Sequence, residues 1–180
     1  MNGHTTMTDI KRSIQRLLAT NPLREPVFRS AIQALHLPPG SHGLDVGCGI
    51  GLQTLLLAGA VGSGGHVAGI DIVPDFLTFG KNLAEKAGFS EQIAFREGDM
   101  NSLPFAENTF DWAWSSDCLG YPAEEISSSL QELMRVVRPG GSIILLAWSS
   151  QQVLPGYPLL EARLNATCSA SIPYLKAKSP

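Results

Sequence analysis

Five short apolar runs alternate with stretches of helical periodicity between residues 43 and 148, and this alternation is what most limits the folds open to the chain. The runs are GLDVG at 43–47, HVAGID at 66–71, IAF at 93–95, FDWAWS at 110–115 and SIILLAW at 142–148. Between them, segments 52–61, 75–87 and 124–137 repeat apolar positions at helical spacing. Segment 75–87 follows Pro74, stops at Gly88, and carries Phe76, Phe79, Leu83 and Ala87 as its expected buried face. The last helix ends at RPGG, 138–141. Strands separated by helices pair in parallel through crossovers, so the pattern predicts a doubly wound, mostly parallel sheet with helices on both faces.

Two further helices are expected ahead of the sheet. Ile10, Ile14, Leu17 and Leu18 form one periodic set, and Val27, Ala31, Ile32 and Leu35 a second that starts at Pro26 and stops before PPG at 38–40. Residues 1–9 are polar and read as a loose leader. After residue 150 the character changes through Pro155, Pro158, Pro173 and Pro180, leaving room for one short helix around 159–170. The expected organisation is therefore N-terminal helices over 1–40 flanking a site, a core over 41–150, and a proline-rich tail over 151–180 that begins a substrate-covering segment.

With 180 residues, 44% of them apolar, the chain can bury one core. Its 13 basic residues against 16 acidic ones form no block of one sign, which removes the footprint expected for nucleic acid and leaves a small molecule as the expected partner. The longest apolar runs, 55–58 and 143–148, fall far short of the ~20 residues of a membrane-spanning helix. Cys48, Cys118 and Cys168 are too scattered for a zinc site or disulfide framework, so no metal and a reducing cytoplasm are expected.

The turn after the first strand reads LDVGCGIG over 44–51. Gly47, Gly49 and Gly51 permit backbone angles closed to other residues and close approach of a ligand. Leu52 stands where a dinucleotide fingerprint would carry its third glycine, which favours a cofactor without a pyrophosphate. Asp71 ends the second strand, placed to accept from both hydroxyls of a ribose; capping of the helix after Pro74 is the rival reading. After the third strand, Asp99 and Met100 pair an acceptor for an adenine amine with an apolar side chain for its face, against a plain Asx turn with a buried Met. The stretch ELMRVVRPGG at 132–141 reads as structure alone.

In order, LDVGCGIG, GIDIV, EGDMNSLPF, FDWAWSSD and LMRVVRPGGSIILL resemble the class I S-adenosylmethionine-dependent methyltransferases, especially the small-molecule group of ubiquinone and menaquinone biosynthesis. The resemblance runs from Leu44 to about Trp148. It implies a Rossmann-like fold, S-adenosylmethionine as cofactor, and methyl transfer to a small-molecule acceptor by in-line displacement at the sulfonium. It further implies that Asp45, Gly47 and Gly49 hold the methionine part, that Cys48 and Gly51 of the same turn also bind the cofactor, that Asp71 and Ile72 hold ribose and adenine, and that Asp99 and Met100 hold adenine. Ser115 to Asp117 then lie near the transferred methyl, and Arg24 or Arg29 faces the methionine carboxylate. Proximity supplies most of such a reaction, so a base is optional; Asp117 is the candidate, with a loop acid capping the next helix as the equal rival.

The family's sheet usually has seven strands, with a final hairpin beside the fifth, and the chain ends soon after its fifth. A shortened product is the expected explanation, ahead of a homodimer or the tail covering the exposed edge. An S-adenosylmethionine-binding module or truncated, inactive methyltransferase is therefore the alternative function. A nicotinamide oxidoreductase is disfavoured by the glycine spacing and by Asp99-Met100. Amino-methylation of nucleic acid is disfavoured because SSDC at 115–118 lacks the Pro-Pro-aromatic pattern of those enzymes.

Overall fold

A computed structural model describes residues 7–118 and 126–147. Its elements are α1 (Met7–Ala34), β1 (His42–Val46), α2 (Leu52–Val61), β2 (His66–Asp71), α3 (Pro74–Lys86), β3 (Ile93–Glu97), β4 (Phe110–Ser116), α4 (Ile126–Val136) and β5 (Val137–Leu146). The five strands form one sheet in the order β3-β2-β1-β4-β5, and every pairing is parallel. The chain moves outward from β1 through β2 to β3, then returns to the other side of β1 at β4. That reversal opens a crevice at the carboxyl ends of β1 and β4.

Side-chain alternation along the strands divides the core in two. On one face Trp112 and Trp114 pack with Phe28 and Ile32 of α1, Leu57 and Val61 of α2, and Leu77 and Ala84 of α3. On the other, Leu44, Val46, Ile70 and Ala113 meet Leu133 and Val136 of α4. Gly43 lies beside Trp112 in the parallel register, and a Cβ there would sit 2.0 Å from the indole. The ring takes the place of that side chain, and its Nε1–H donates to Ser41 Oγ at 2.8 Å.

Several expectations need correction. The two N-terminal helices are one 28-residue helix that begins at Met7, inside the expected leader, and continues through Pro22 and Pro26. The missing N–H groups of these prolines would have bonded to the carbonyls of Leu18 and Pro22, and because the two prolines lie four residues apart on an exposed face, water can satisfy the freed oxygens. The buried stripe of α3 is Leu77, Gly80 and Ala84; Phe76, Phe79 and Leu83 are half-buried, and Ala87 is exposed. Gly80 takes the place against the sheet, where even a Cβ would lie 3.0 Å from the Phe95 ring and an aromatic side chain has no room. The RPGG turn belongs to the start of β5, where the irregular register between Phe110 and Trp112 absorbs it. No helix among the described residues is long and apolar enough to cross a membrane. Trp148 and the expected tail over 151–180 lie outside the described residues.

Candidate cofactor site

The glycine turn leaves β1 at the crevice, with Gly47, Gly49 and Gly51 at φ of 74°, 54° and 80°. Each glycine answers a different constraint. A Cβ on Gly47 would lie 2.5 Å from Cys118 Sγ, and one on Gly51 would lie 2.6 Å from the Phe95 ring, so both are required by packing. Nothing lies within 4 Å of the corresponding position on Gly49. That glycine faces open space and lets a ligand reach the backbone.

The turn directs its N–H groups inward. Those of Gly47 and Cys48 donate to the Ile70 carbonyl at 2.9 and 3.0 Å, that of Gly49 to Asp71 Oδ2 at 2.9 Å, and that of Gly51 to the Cys48 carbonyl at 3.0 Å. A pyrophosphate loop presents such donors to its anion. Here they are engaged within the fold, which agrees with a cofactor that has no phosphate.

Asp71 accepts from Gly49 on one oxygen and from Val73 N–H, at 3.0 Å, on the other. Each oxygen retains a second lone pair for a ribose hydroxyl, so the capping and binding readings describe one half-buried carboxylate. Beside it the Ile72 side chain is 66% exposed, an apolar surface left open next to the turn. Asp45, 2% exposed, accepts from the Thr54 hydroxyl of α2 at 2.7 Å. Burial pushes its carboxyl up to about 7 against the pull of that bond, and the charge of Asp71 adds to the rise.

Asp99 is exposed and closes an Asx turn, its Oδ1 accepting from Asn101 N–H and Nδ2–H at 2.8 and 3.1 Å. Met100 is half-buried against the α4-side core. Two side chains that sequence reasoning treated as plain structure hold this loop. Glu132 Oε2 accepts from Leu103 N–H at 2.7 Å, while Arg135 donates to the carbonyls of Leu103 and Phe105 at 3.0 and 2.8 Å. The two also pair with each other, which holds Glu132 below the usual carboxylate range. An acid and a base three residues apart on one helix were the signal available in the sequence.

At the end of β4, Ser115 is fully buried and its hydroxyl donates to the Val46 carbonyl at 3.0 Å, tying β4 to β1. Asp117 follows at φ 55° and pairs with Arg24 of α1. Arg24 therefore reaches the crevice, whereas Arg29 pairs with Glu25 on the outside of the helix. Cys48 turns its thiol into the core beside Gly69, and Cys118 lies on Gly47, its thiol pushed up to about 11, chiefly by burial. A cleft of about 400 Å³ lies between α1 and α3, lined by Ile10, Ile14 and Phe79 with Asp75 among its polar residues.

A phosphate-free adenosine cofactor is compatible with this geometry: the backbone at Gly49 is open, the N–H groups of the turn are engaged within the fold, and the Asp71 carboxylate keeps free acceptor capacity. Comparison with known proteins agrees. The family model described as a methyltransferase domain matches residues 44–141. A demethylmenaquinone methyltransferase of Bacillus cereus (strain B4264) is 35% identical over 132 residues, 72% of this chain and 53% of that protein. The chain thus spans about half the length of the curated relatives it matches. Among solved structures, an S-adenosylmethionine-dependent methyltransferase from Aquifex aeolicus shares the fold with a TM-score of 0.69 at 23% identity, over 82% of this chain and 76% of that one. The cyclase SpnF aligns with a TM-score of 0.58 at 29% identity, over 64% of this chain and 42% of that one. The chain belongs to the family of class I S-adenosylmethionine-dependent methyltransferases.

Proposed function

We propose that the chain transfers a methyl group from S-adenosylmethionine to a small, hydroxylated aromatic acceptor of the quinol type. The observation that carries this reading is the Arg24–Asp117 pair, which sets a carboxylate beside Cys118, the residue lying on Gly47. The relative named for demethylmenaquinone supports the acceptor class. When bound, S-adenosylmethionine supplies a sulfonium methyl already activated toward a nucleophile. In this reading Asp45 and the glycine turn hold the methionine end, and Asp71 fixes the ribose. Ile72, Asp99 and Met100 take the adenine. Orientation of the acceptor then contributes most of the acceleration.

Asp117 is the group that accepts the acceptor's proton, and Arg24 orients it from α1. In this reading the N-terminal helix flanks the site, packed on the core through Phe28 and Ile32 and tied to the end of β4 by that pair. A cytoplasmic setting goes with this reading, supported by the free thiols of Cys48 and Cys118.

A second reading, cofactor binding without methyl transfer, is favoured by one observation, the similarity to a protein named as a cyclase. Incubation with methyl-labelled S-adenosylmethionine and a panel of hydroquinones and naphthohydroquinones separates the two. The first reading expects labelled product from wild type and little from Asp117→Asn, with S-adenosylhomocysteine binding retained in both. Asn tolerates the left-handed backbone, so the variant keeps the fold. Tight binding with no label transferred to any acceptor would leave the second reading in place.

A further inference from the structure

We infer that Glu132 and Arg135 of α4 are positioning residues for the adenine end of the cofactor, and that they set whether the loop carrying Asp99 can read the adenine amine. The inference rests on the adenine role proposed for Asp99.

The loop after β3 leaves the sheet at Glu97 and hangs between two anchors. At its start, Gly98 N–H donates to the Asp71 carbonyl at 3.2 Å, so the adenine loop is tied to the residue proposed to hold the ribose. At its far end no strand ladder continues among the described residues; Leu103 is buried in the α4-side core, Arg96 of β3 donates to the Pro104 carbonyl at 2.6 Å, and α4 supplies the remaining side-chain ties. Leu103 is held on both sides of its peptide, its N–H by Glu132 and its carbonyl by Arg135. Arg135 also takes the Phe105 carbonyl, and the Ser129 hydroxyl donates to Asn101 Oδ1 at 2.5 Å.

Between these anchors Asp99 is held by the Asx turn to Asn101 and by the Ser102 N–H to Asp99 carbonyl bond at 3.1 Å, while Met100 rests against the α4-side core. A local turn fixes its own shape, but its place in space comes from the anchors. A planar guanidinium that grips two carbonyls and a carboxylate together is a stiff anchor, one that an ammonium at the same place cannot reproduce. The polar groups of this clamp are only part-buried, so its contribution to global stability is modest. Its effect falls on the loop's position.

A merely structural clamp and a positioning clamp differ in one readout, the worth of the adenine amine. Calorimetric titrations with S-adenosylhomocysteine and with S-inosylhomocysteine, whose base carries an oxygen in place of that amine, measure it as an affinity ratio. For wild type, Asp99 accepting from the amine gives a ratio of at least about tenfold. For Arg135→Ala the ratio is expected to fall to within about twofold of one, with Arg135→Lys and Glu132→Gln between, because the protein change and the ligand change then act on the same contact. Thermal unfolding of each variant establishes that it is folded at the titration temperature, and Glu132→Gln keeps the clamp's shape and an acceptor for Leu103. A folded Arg135→Ala or Glu132→Gln protein with the full wild-type ratio would overturn the inference while leaving Asp99 in its role. A wild type that binds both ligands equally would overturn the Asp99 contact and the clamp's purpose together.

Discussion

The backbone N–H of Gly49 donates to Oδ2 of Asp71 across 2.9 Å, so the middle of the glycine turn is fixed to the carboxylate that ends the neighbouring strand. One side chain thereby sets the shape of the turn and faces the proposed ribose position. Substitution at Asp71 should show both effects. Asp71→Ala removes the acceptor for Gly49 and Val73 and should cost about 1–3 kcal/mol of stability. With two charge-assisted ribose contacts also lost, S-adenosylhomocysteine should bind at least about a hundredfold more weakly. Asp71→Asn keeps one acceptor and should lie between. Thermal melting and calorimetry on the same preparations check this; full affinity in a folded Asp71→Ala protein would remove the carboxylate from the site.

Gly47 and Gly49 share a left-handed backbone yet should fail in opposite ways. Gly47→Ala adds a methyl 2.5 Å from Cys118 Sγ, so backbone strain and overpacking combine to more than about 2 kcal/mol of lost stability. Gly49→Ala meets no protein atom within 4 Å and should cost only the backbone strain, about 1–2 kcal/mol. Its methyl instead enters the space assigned to the ligand, so its loss of S-adenosylhomocysteine affinity should be the larger at a temperature where both variants are folded. Equal binding losses would mean that the open side of Gly49 is not where the cofactor lies.

Phe95 connects the core to the turn. Its ring, on β3, lies over Gly69 of β2 and against Gly51 and Gly80: a Cβ on Gly69 or Gly51 would clash with it at 2.8 or 2.6 Å, and one on Gly80 would sit tightly at 3.0 Å. Phe95→Ala should therefore cost about 3–5 kcal/mol, as for other buried aromatic residues, and should loosen the glycine turn. Hydrogen exchange would detect the latter as faster exchange at Gly51 and Leu55, whose N–H bonds close the start of α2. Protection unchanged at these two amides, in a destabilised but folded variant, would show that the turn holds its shape without the ring.

The strands were legible because each is a short apolar run closed by a residue that a strand end tolerates. The glycine turn, Asp71 and Asp99 were legible because they follow such runs at fixed offsets. The continuity of α1 was not, since Pro22 and Pro26 are strong local stops and only their shared exposed face allows the helix to pass through them. The pairing of Arg24 with Asp117, 93 residues apart, is a tertiary fact that no local pattern encodes. The Glu132–Arg135 clamp was visible as a motif, but its partners are mostly backbone atoms of a distant loop, which carry no sequence signature.

Asp45 predicts a pH dependence whose sign follows from its burial. Its carboxyl is raised from an ordinary 3.8 to about 7, first by loss of water and then by the nearby charge of Asp71. Between these two values the folded protein keeps a proton that the unfolded chain releases, so this group's contribution to stability falls as pH rises across that window and levels off above about 7. Cofactor binding should run the other way. The ammonium of the methionine end favours the ionised carboxylate, so S-adenosylhomocysteine affinity should rise from about pH 6 to about pH 8. Near the lower pH, binding should release a proton, seen as a heat that differs between two buffers of unlike ionisation enthalpy. Asp45→Asn keeps an acceptor for Thr54 but cannot ionise, and it should abolish both the slope and the buffer dependence. A pH-independent affinity in wild type, matched by the variant, would mean that Asp45 only supports the turn and does not meet the ammonium.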